Sequence, residues 1–285
     1  MTAELIKGKE VASSLRAKMK EEAAALREKG IVPGLTVLLV GEDPASLSYV
    51  KGKVKACEEV GLKSELKRYP VTITEEDLLA EIRRCNDDDS VDGILVQLPL
   101  PSHIDERKVI ETIVPEKDVD GFHPISVGKM IVGEDTFYSC TPAGIIELVK
   151  FKNIDIQGKH VVVVGRSNIV GKPAGLLFLN ENATVTYCHS RTANLSEHTR
   201  MADILVVAVG KAGFIGAGDV KPGAVIIDVG VNRNEAGKLV GDVRFDEVKE
   251  KASYITPVPG GVGPMTITML LSNTIKAAKK RHNVQ

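Results

Sequence analysis

Residues 161–173, VVVVGRSNIVGKP, read as a strand, a glycine turn and the start of a helix. An unbroken run of four valines suits a strand buried on both faces of a parallel sheet. A strand, a glycine turn and a helix start suit a phosphate docked on helix N-terminal amides, and the same run also reads as a tight βα turn with no ligand. The stretch departs from G-x-G-x-x-G because Ser167 stands at the second glycine. Nor is it a P-loop, since five residues separate Gly165 from Gly171 and Pro173 follows Lys172. The same pattern continues outward, with further strands expected at 184–187, 204–209 and 224–228. Upstream, LTVLLV at 35–40 ends at Gly41, and Asp43-Pro44 opens a helix that runs to Gly61. A strand at 64–68 leads to a helix entered at Thr74-Glu75-Glu76, and GILVQ at 93–97 stops at Pro99-Leu100-Pro101. Strands spaced by helical stretches predict an α/β fold with doubly wound parallel sheets, in two blocks. The boundary falls near the helix start at Thr141-Pro142. A last helix from Pro264 to about Lys280 carries Met265, Met269, Leu270, Ile275 and Ala278 on its apolar side and is expected to return to the first block. The expected domains are therefore 1–143 completed by 264–285, and 144–263, with a cleft between them.

Composition narrows the function classes. The chain has 285 residues, 43% of them hydrophobic, with 37 Lys and Arg against 38 Asp and Glu, enough apolar material for a large core. A net charge of -1 gives no electrostatic reason to expect nucleic acid or an anionic membrane surface. No apolar run approaches the ~18 residues of a membrane span. The first thirty residues read as a charged amphipathic helix and not as a signal peptide, so a cytoplasmic protein is expected. Cys57, Cys85, Cys140 and Cys188 form no C-x-x-C pair, and the histidines show no H-x-x-x-H or H-E-x-x-H spacing. Reduced thiols and no metal site are the expectation.

The strand ending at Tyr187-Cys188-His189-Ser190-Arg191-Thr192 decides the cofactor. An NAD site would carry an acid there for the ribose 2′-hydroxyl. This strand end has none, while Ser190 can donate a hydrogen bond and Arg166 and Arg191 can neutralise a 2′-phosphate. NADP is expected over NAD, with Arg191 equally readable as a solvated loop charge. In the first block, Leu47, Val50, Val54 and Cys57 follow core spacing, and Tyr49 and Lys53 lie one above the other beside that stripe. Gln97 ends a strand, where open α/β sheets place ligands. A partly desolvated lysine beside a neutral amide can serve as a base. On spacing alone, a surface lysine lying along its tyrosine is the commoner arrangement. Lys117-Asp118-Val119-Asp120-Gly121 puts two acids in a loop, a run that usually reflects turn chemistry. Thr256-Pro257-Val258-Pro259-Gly260-Gly261-Val262-Gly263-Pro264-Met265-Thr266 is stiff, then glycine-rich, and ends at a helix start. Such glycines let backbone approach a flat ligand.

Together these segments resemble, over essentially the whole chain, the bifunctional methylenetetrahydrofolate dehydrogenase/methenyltetrahydrofolate cyclohydrolase family. The carrying stretches are 40–53, GILVQLPLP at 93–101, PEKDVDGFHP at 115–124, Cys140-Thr141-Pro142, 165–173, Cys188-His189-Ser190 and 256–266. The resemblance implies an N-terminal α/β folate domain, a Rossmann-like NADP domain, a tetrahydrofolate substrate and a homodimer in one-carbon metabolism. It implies that Lys53 is the base or proton shuttle, Gln97 its partner, Tyr49 a stacking residue and Asp120 a pterin-binding acid. Val96, Leu98, Pro259, Gly260, Gly261, Val262 and Gly263 would complete the folate pocket. Gly165, Arg166, Ser167, Ser190, Val231 and Thr266 would hold NADP. One departure is visible, because Ser126 stands where the family usually has Asn. A dehydrogenase-only relative, or a non-catalytic binder of the same fold, fits less well with Lys53 and Gln97 both present.

Overall fold

In the computed structural model, which describes residues 2–284, the first half of the chain runs β1 (Glu4–Leu5), α1 (Gly8–Glu28), β2 (Gly34–Val40), α2 (Pro44–Val60), β3 (Lys63–Tyr69), α3 (Glu75–Asp87), β4 (Gly93–Val96), α4 (Glu106–Thr112) and α5 (Pro124–Val132). The second half runs α6 (Cys140–Phe151), β5 (His160–Val164), α7 (Gly171–Asn180), β6 (Thr184–Cys188), α8 (Leu195–Thr199), β7 (Ile204–Val207), β8 (Val225–Asp228), β9 (Asn232–Arg233), β10 (Leu239–Val240), α9 (Phe245–Val248), β11 (Tyr254–Ile255) and α10 (Val262–Arg281). Two units result, one of residues 14–138 with 267–284, the other of residues 2–13 with Ser139–Thr266.

The first unit is built on three parallel strands in the order β3-β2-β4. Central β2 is buried along its whole length, as its apolar run requires, whereas β3 at the edge is mostly half-exposed. Helix α2 has the expected ends. The Asp43 carboxylate accepts from the Ser46 amide, Pro44 takes the first position, and Gly61 at φ +90° closes it. Leu78, Ile82 and Cys85 of α3 pack on Leu38, Val40, Ile94 and Val96. The C-terminus of α3 is closed from a distance. Lys117 is buried, and its Nζ donates to the carbonyls of Cys85, Asn86 and Asp88 at 2.9, 2.7 and 2.7 Å. Helix α5 follows the loop that carries Asp118 and Asp120. Pro124 opens it, and the His123 ring accepts from the Ile125 amide.

The second unit holds a six-stranded parallel sheet in the order β6-β5-β7-β8-β11-β1. The valines of β5 are fully buried, each contributing roughly 1.5 kcal/mol or more by leaving water. From β5 the chain steps to β6 on one side and then to β7 on the other, so a topological switch point lies between β5 and β7. The first strand corrects two expectations. Residues 4–5 are not helical but pair with β11, and helix α1 begins only at Gly8. Residues 2–13 therefore belong with the second unit and not with the first block, where the sequence pattern puts them. Among the described residues no helix is long and apolar enough to cross a membrane.

Candidate active site

Lys53 is buried, against the commoner solvent-facing arrangement that spacing alone suggests. Only 7% of it is exposed, and its Nζ donates to Gln97 Oε1 at 3.0 Å. The sheet fixes that partner. The Gln97 amide donates to Leu38 O on β2 at 2.9 Å, and its Nε2 donates to Leu98 O at 2.6 Å. With Nε2 committed to a carbonyl, Oε1 is turned toward the lysine, and the amine is held at one point on a neutral acceptor. Tyr49, one turn before Lys53, is 39% exposed.

Asp118 and Asp120 divide the two acids of the loop between support and presentation. Asp118 is buried; its carboxylate accepts from the amides of Phe122 (3.2 Å) and His123 (2.9 Å) and from Ser126 Oγ (2.8 Å). Ser126, the departure from the family pattern, thus serves as a donor to Asp118. Burial outweighs these bonds and pushes the Asp118 carboxyl up to about 7. Val119 O accepts from Asn273 Nδ2 of α10 at 2.8 Å. The half-buried Asp120 is held between these anchors and lines a crevice of about 10 Å³ with Val96, Leu98 and Phe122. The structure therefore brings Val96, Leu98 and Asp120 together in one unit, with Lys53 and Gln97 bonded at the end of the same strand. Asp118 reads in the sequence only as turn chemistry, and Asn273 does not stand out there because its partner Val119 lies 154 residues away along the chain.

In the second unit, Val164 pairs with Cys188, so Arg166 and Ser190 each lie two residues beyond paired positions on adjacent strands. They sit at the same carboxyl edge of the sheet, on strands roughly 5 Å apart. Arg166 and Ser190 are both exposed. Gly165 is required by packing, because a Cβ there would lie 2.4 Å from Ala208 O at a φ of +141°. The helix-amide mode of phosphate docking needs correction. Ser167 Oγ already accepts from the amides of Val170 (3.2 Å) and Gly171 (3.1 Å), and Ser167 O accepts from the Lys172 amide. Pro173 has no amide hydrogen, and Ala174 N donates to Val170 O. The first turn of α7 is satisfied from within. The donors at this edge include the Arg166 guanidinium and the hydroxyls of Ser167 and Ser190, groups suited to phosphate.

Val231 is 52% exposed beyond β8, and Thr266 Oγ1 lies 2.8 Å from Thr141 Oγ1. Pro259, Gly260, Gly261, Val262 and Gly263 lie in the second unit. Gly261 is demanded by the fold, because a Cβ there would meet Pro257 O at 2.6 Å, whereas Gly260 and Gly263 face open space. Among the described residues no group of three or more His, Cys, Asp or Glu is placed to hold a metal ion.

The catalytic-domain model of tetrahydrofolate dehydrogenase/cyclohydrolase matches residues 6–120, and the NAD(P)-binding-domain model matches residues 139–282. The chain belongs to the tetrahydrofolate dehydrogenase/cyclohydrolase family. It is 69% identical over 280 residues to the bifunctional protein FolD of Bacillus anthracis, covering 98% of each. The crystal structure of the bifunctional enzyme from Campylobacter jejuni matches at 51% identity and TM-score 0.96, over 98% of this chain and 99% of that one. The Trypanosoma brucei dehydrogenase-cyclohydrolase, solved with NADP cofactor and inhibitor, matches at 39% identity and TM-score 0.95 over the whole of both chains.

Proposed function

We propose that this chain oxidises 5,10-methylenetetrahydrofolate to the 5,10-methenyl cation with NADP⁺ and then hydrolyses that cation to 10-formyltetrahydrofolate. The observation that carries the reading is the buried Lys53 amine, fixed on Gln97 Oε1 at a strand end in a chain of this family. Tyr49 stacks on the folate ring system, Asp120 holds the pterin, and Val96 and Leu98 line the folate pocket. Arg166, Ser167 and Ser190 bind the NADP phosphates, and Gly165, Val231 and Thr266 line the rest of that site. NADP⁺, when bound, accepts the hydride that leaves the methylene carbon. The protein aligns donor and acceptor for that step and needs no base in it.

Ring opening is different, because protons must move. Water adds to the methenyl carbon, Lys53 takes the proton the water gives up, and Lys53 returns it to N5 as the carbon–N5 bond breaks. The hydroxyl proton of the adduct then leaves as the formyl group forms, so hydrolysis releases one proton overall. Gln97 holds the amine in line for both transfers. The protein acts in the cytoplasm as a homodimer, supplying one-carbon units for purine, histidine and methionine synthesis. An absorbance assay with methylenetetrahydrofolate tests the reading by following methenyl formation and decay. Catalytic efficiency with NADP⁺ should exceed that with NAD⁺ at least ~10-fold, equivalent to ~1.4 kcal/mol. No methenyl formation with either nucleotide, or a preference for NAD⁺, refutes it.

A further inference from the structure

Two buried carboxylates of the second unit, both outside the residues assigned above, hold each other's loops. Asp242 is fully buried. Its Oδ2 accepts from the amides of Val209 (2.7 Å) and Gly210 (2.9 Å), and its Oδ1 accepts from the Lys211 amide and Asn232 Nδ2, each at 2.8 Å. Asp228 is also buried. Its Oδ1 accepts from the amides of Gly230 and Asp242, both at 2.9 Å, and its Oδ2 from the Val243 amide at 3.0 Å. Each carboxylate lies against a glycine of the other's segment. A Cβ on Gly230 would stand 2.2 Å from Asp242 Oδ1, and one on Gly241 would stand 1.8 Å from Asp228 Oδ2. Asp228-x-Gly230 and Gly241-Asp242 therefore form a reciprocal lock.

The segments this lock fixes lie at the carboxyl edge of the sheet. Val164 pairs with Val207, so residues 209–211 follow β7 beside Gly165 and Arg166, at the switch point. Val231 stands between Gly230, bound to Asp228, and Asn232, bound to Asp242. Three consecutive amides turned onto one point would themselves attract an anion, and here an internal carboxylate occupies them. The backbone of 209–211 is thereby set before any ligand arrives.

Resting on the NADP reading above, we propose that Asp242, fixed by Asp228 and coupled to Val231 through Asn232, is a positioning residue for the cofactor. It acts by holding 209–211 and 230–232 in one arrangement, and it does not serve the hydrolytic half of the chemistry. Asp242→Asn puts an amide group among donors, and Asn232→Ala cuts only the link to the Val231 segment. Three quantities decide: NADP⁺ affinity by calorimetry, the rate of methenyl hydrolysis without nucleotide, and amide hydrogen exchange of 209–211. Asp242→Asn should weaken NADP⁺ binding at least ~10-fold and speed exchange at 209–211. Asn232→Ala should weaken binding ~3-fold or more, and both variants should hydrolyse methenyltetrahydrofolate within ~2-fold of the parent. Unchanged affinity in folded Asn232→Ala overturns the proposal, as does loss of hydrolysis in step with binding, which would mark the pair as structural only. A parent protein that binds no NADP⁺ would instead refute the cofactor reading, a different outcome from a parent that binds and variants that bind equally well.

Discussion

At the scale of single residues, burial decides what each charged group can do. Lys53 and Lys117 are both buried lysines, yet they differ in their acceptors. Lys117 spends its amine on three carbonyls, a structural cap, whereas Lys53 meets one neutral amide oxygen. Gln97→Ala should leave the fold intact and slow ring opening ~10-fold or more, measured as methenyl decay, because the amine loses its fixed point. Arg166→Ala should raise the NADP⁺ KM far more than it lowers kcat if the guanidinium has its proposed role in binding the nucleotide, with no part in hydride transfer; steady-state kinetics at varied NADP⁺ reads this directly. Asp118 makes stability depend on pH. Its carboxyl lies at about 7 when folded, against an ordinary value of 3.8. Between those values the folded protein keeps a proton that the unfolded chain has released. Stability from this group is therefore complete below 3.8 and is lost as pH rises through about 7. Denaturant midpoints followed from roughly pH 4.5 to roughly pH 7.5 should fall less steeply in Asp118→Asn than in the parent, and parallel slopes would contradict the assignment.

At the scale of elements, what the sequence discloses are units whose signals are local. β2 and β5 are apolar runs ending in glycine, and α2 carries Asp, Pro and Gly at the positions that start and stop a helix. β1 is two residues long and exists because β11 offers it a parallel partner some 250 residues away, so no local pattern announces it. α5 starts at Pro124 with His123 as its cap, a signal of only two residues. The family resemblance points to Lys53, but its burial is not legible, since Gln97 lies 44 residues further along. The glycine turn at 165–171 reads as a phosphate site, yet Gly171 is fixed by the Gly165 backbone, and Gly175 by the Tyr187 ring. Lys117 likewise reads as a turn residue, although its role belongs to α3. Lys117→Met should cost about 3 kcal/mol by leaving buried carbonyls unpaired, with the last turn of α3 exchanging fastest; an unchanged melting temperature would show the cap to be dispensable.

At the scale of the whole molecule, the chain divides its chemistry between two sheets. The carboxyl edge of the β6-β5-β7-β8 sheet gathers Arg166, Ser190 and Val231, while the β3-β2-β4 unit holds Lys53, its amide partner Gln97 and Asp120. On the proposed roles, hydride transfer needs NADP⁺ as well as the folate, whereas hydrolysis needs a proton carrier and the folate alone. A single substitution at Lys53 should therefore separate the two activities. The decisive measurement is methenyl hydrolysis and NADPH formation recorded separately on folded Lys53→Met. Hydrolysis should fall nearly to the uncatalysed rate, while NADPH formation persists at a reduced level so long as folate still binds. Near-normal hydrolysis in the folded variant would contradict the assignment of Lys53 as the proton carrier.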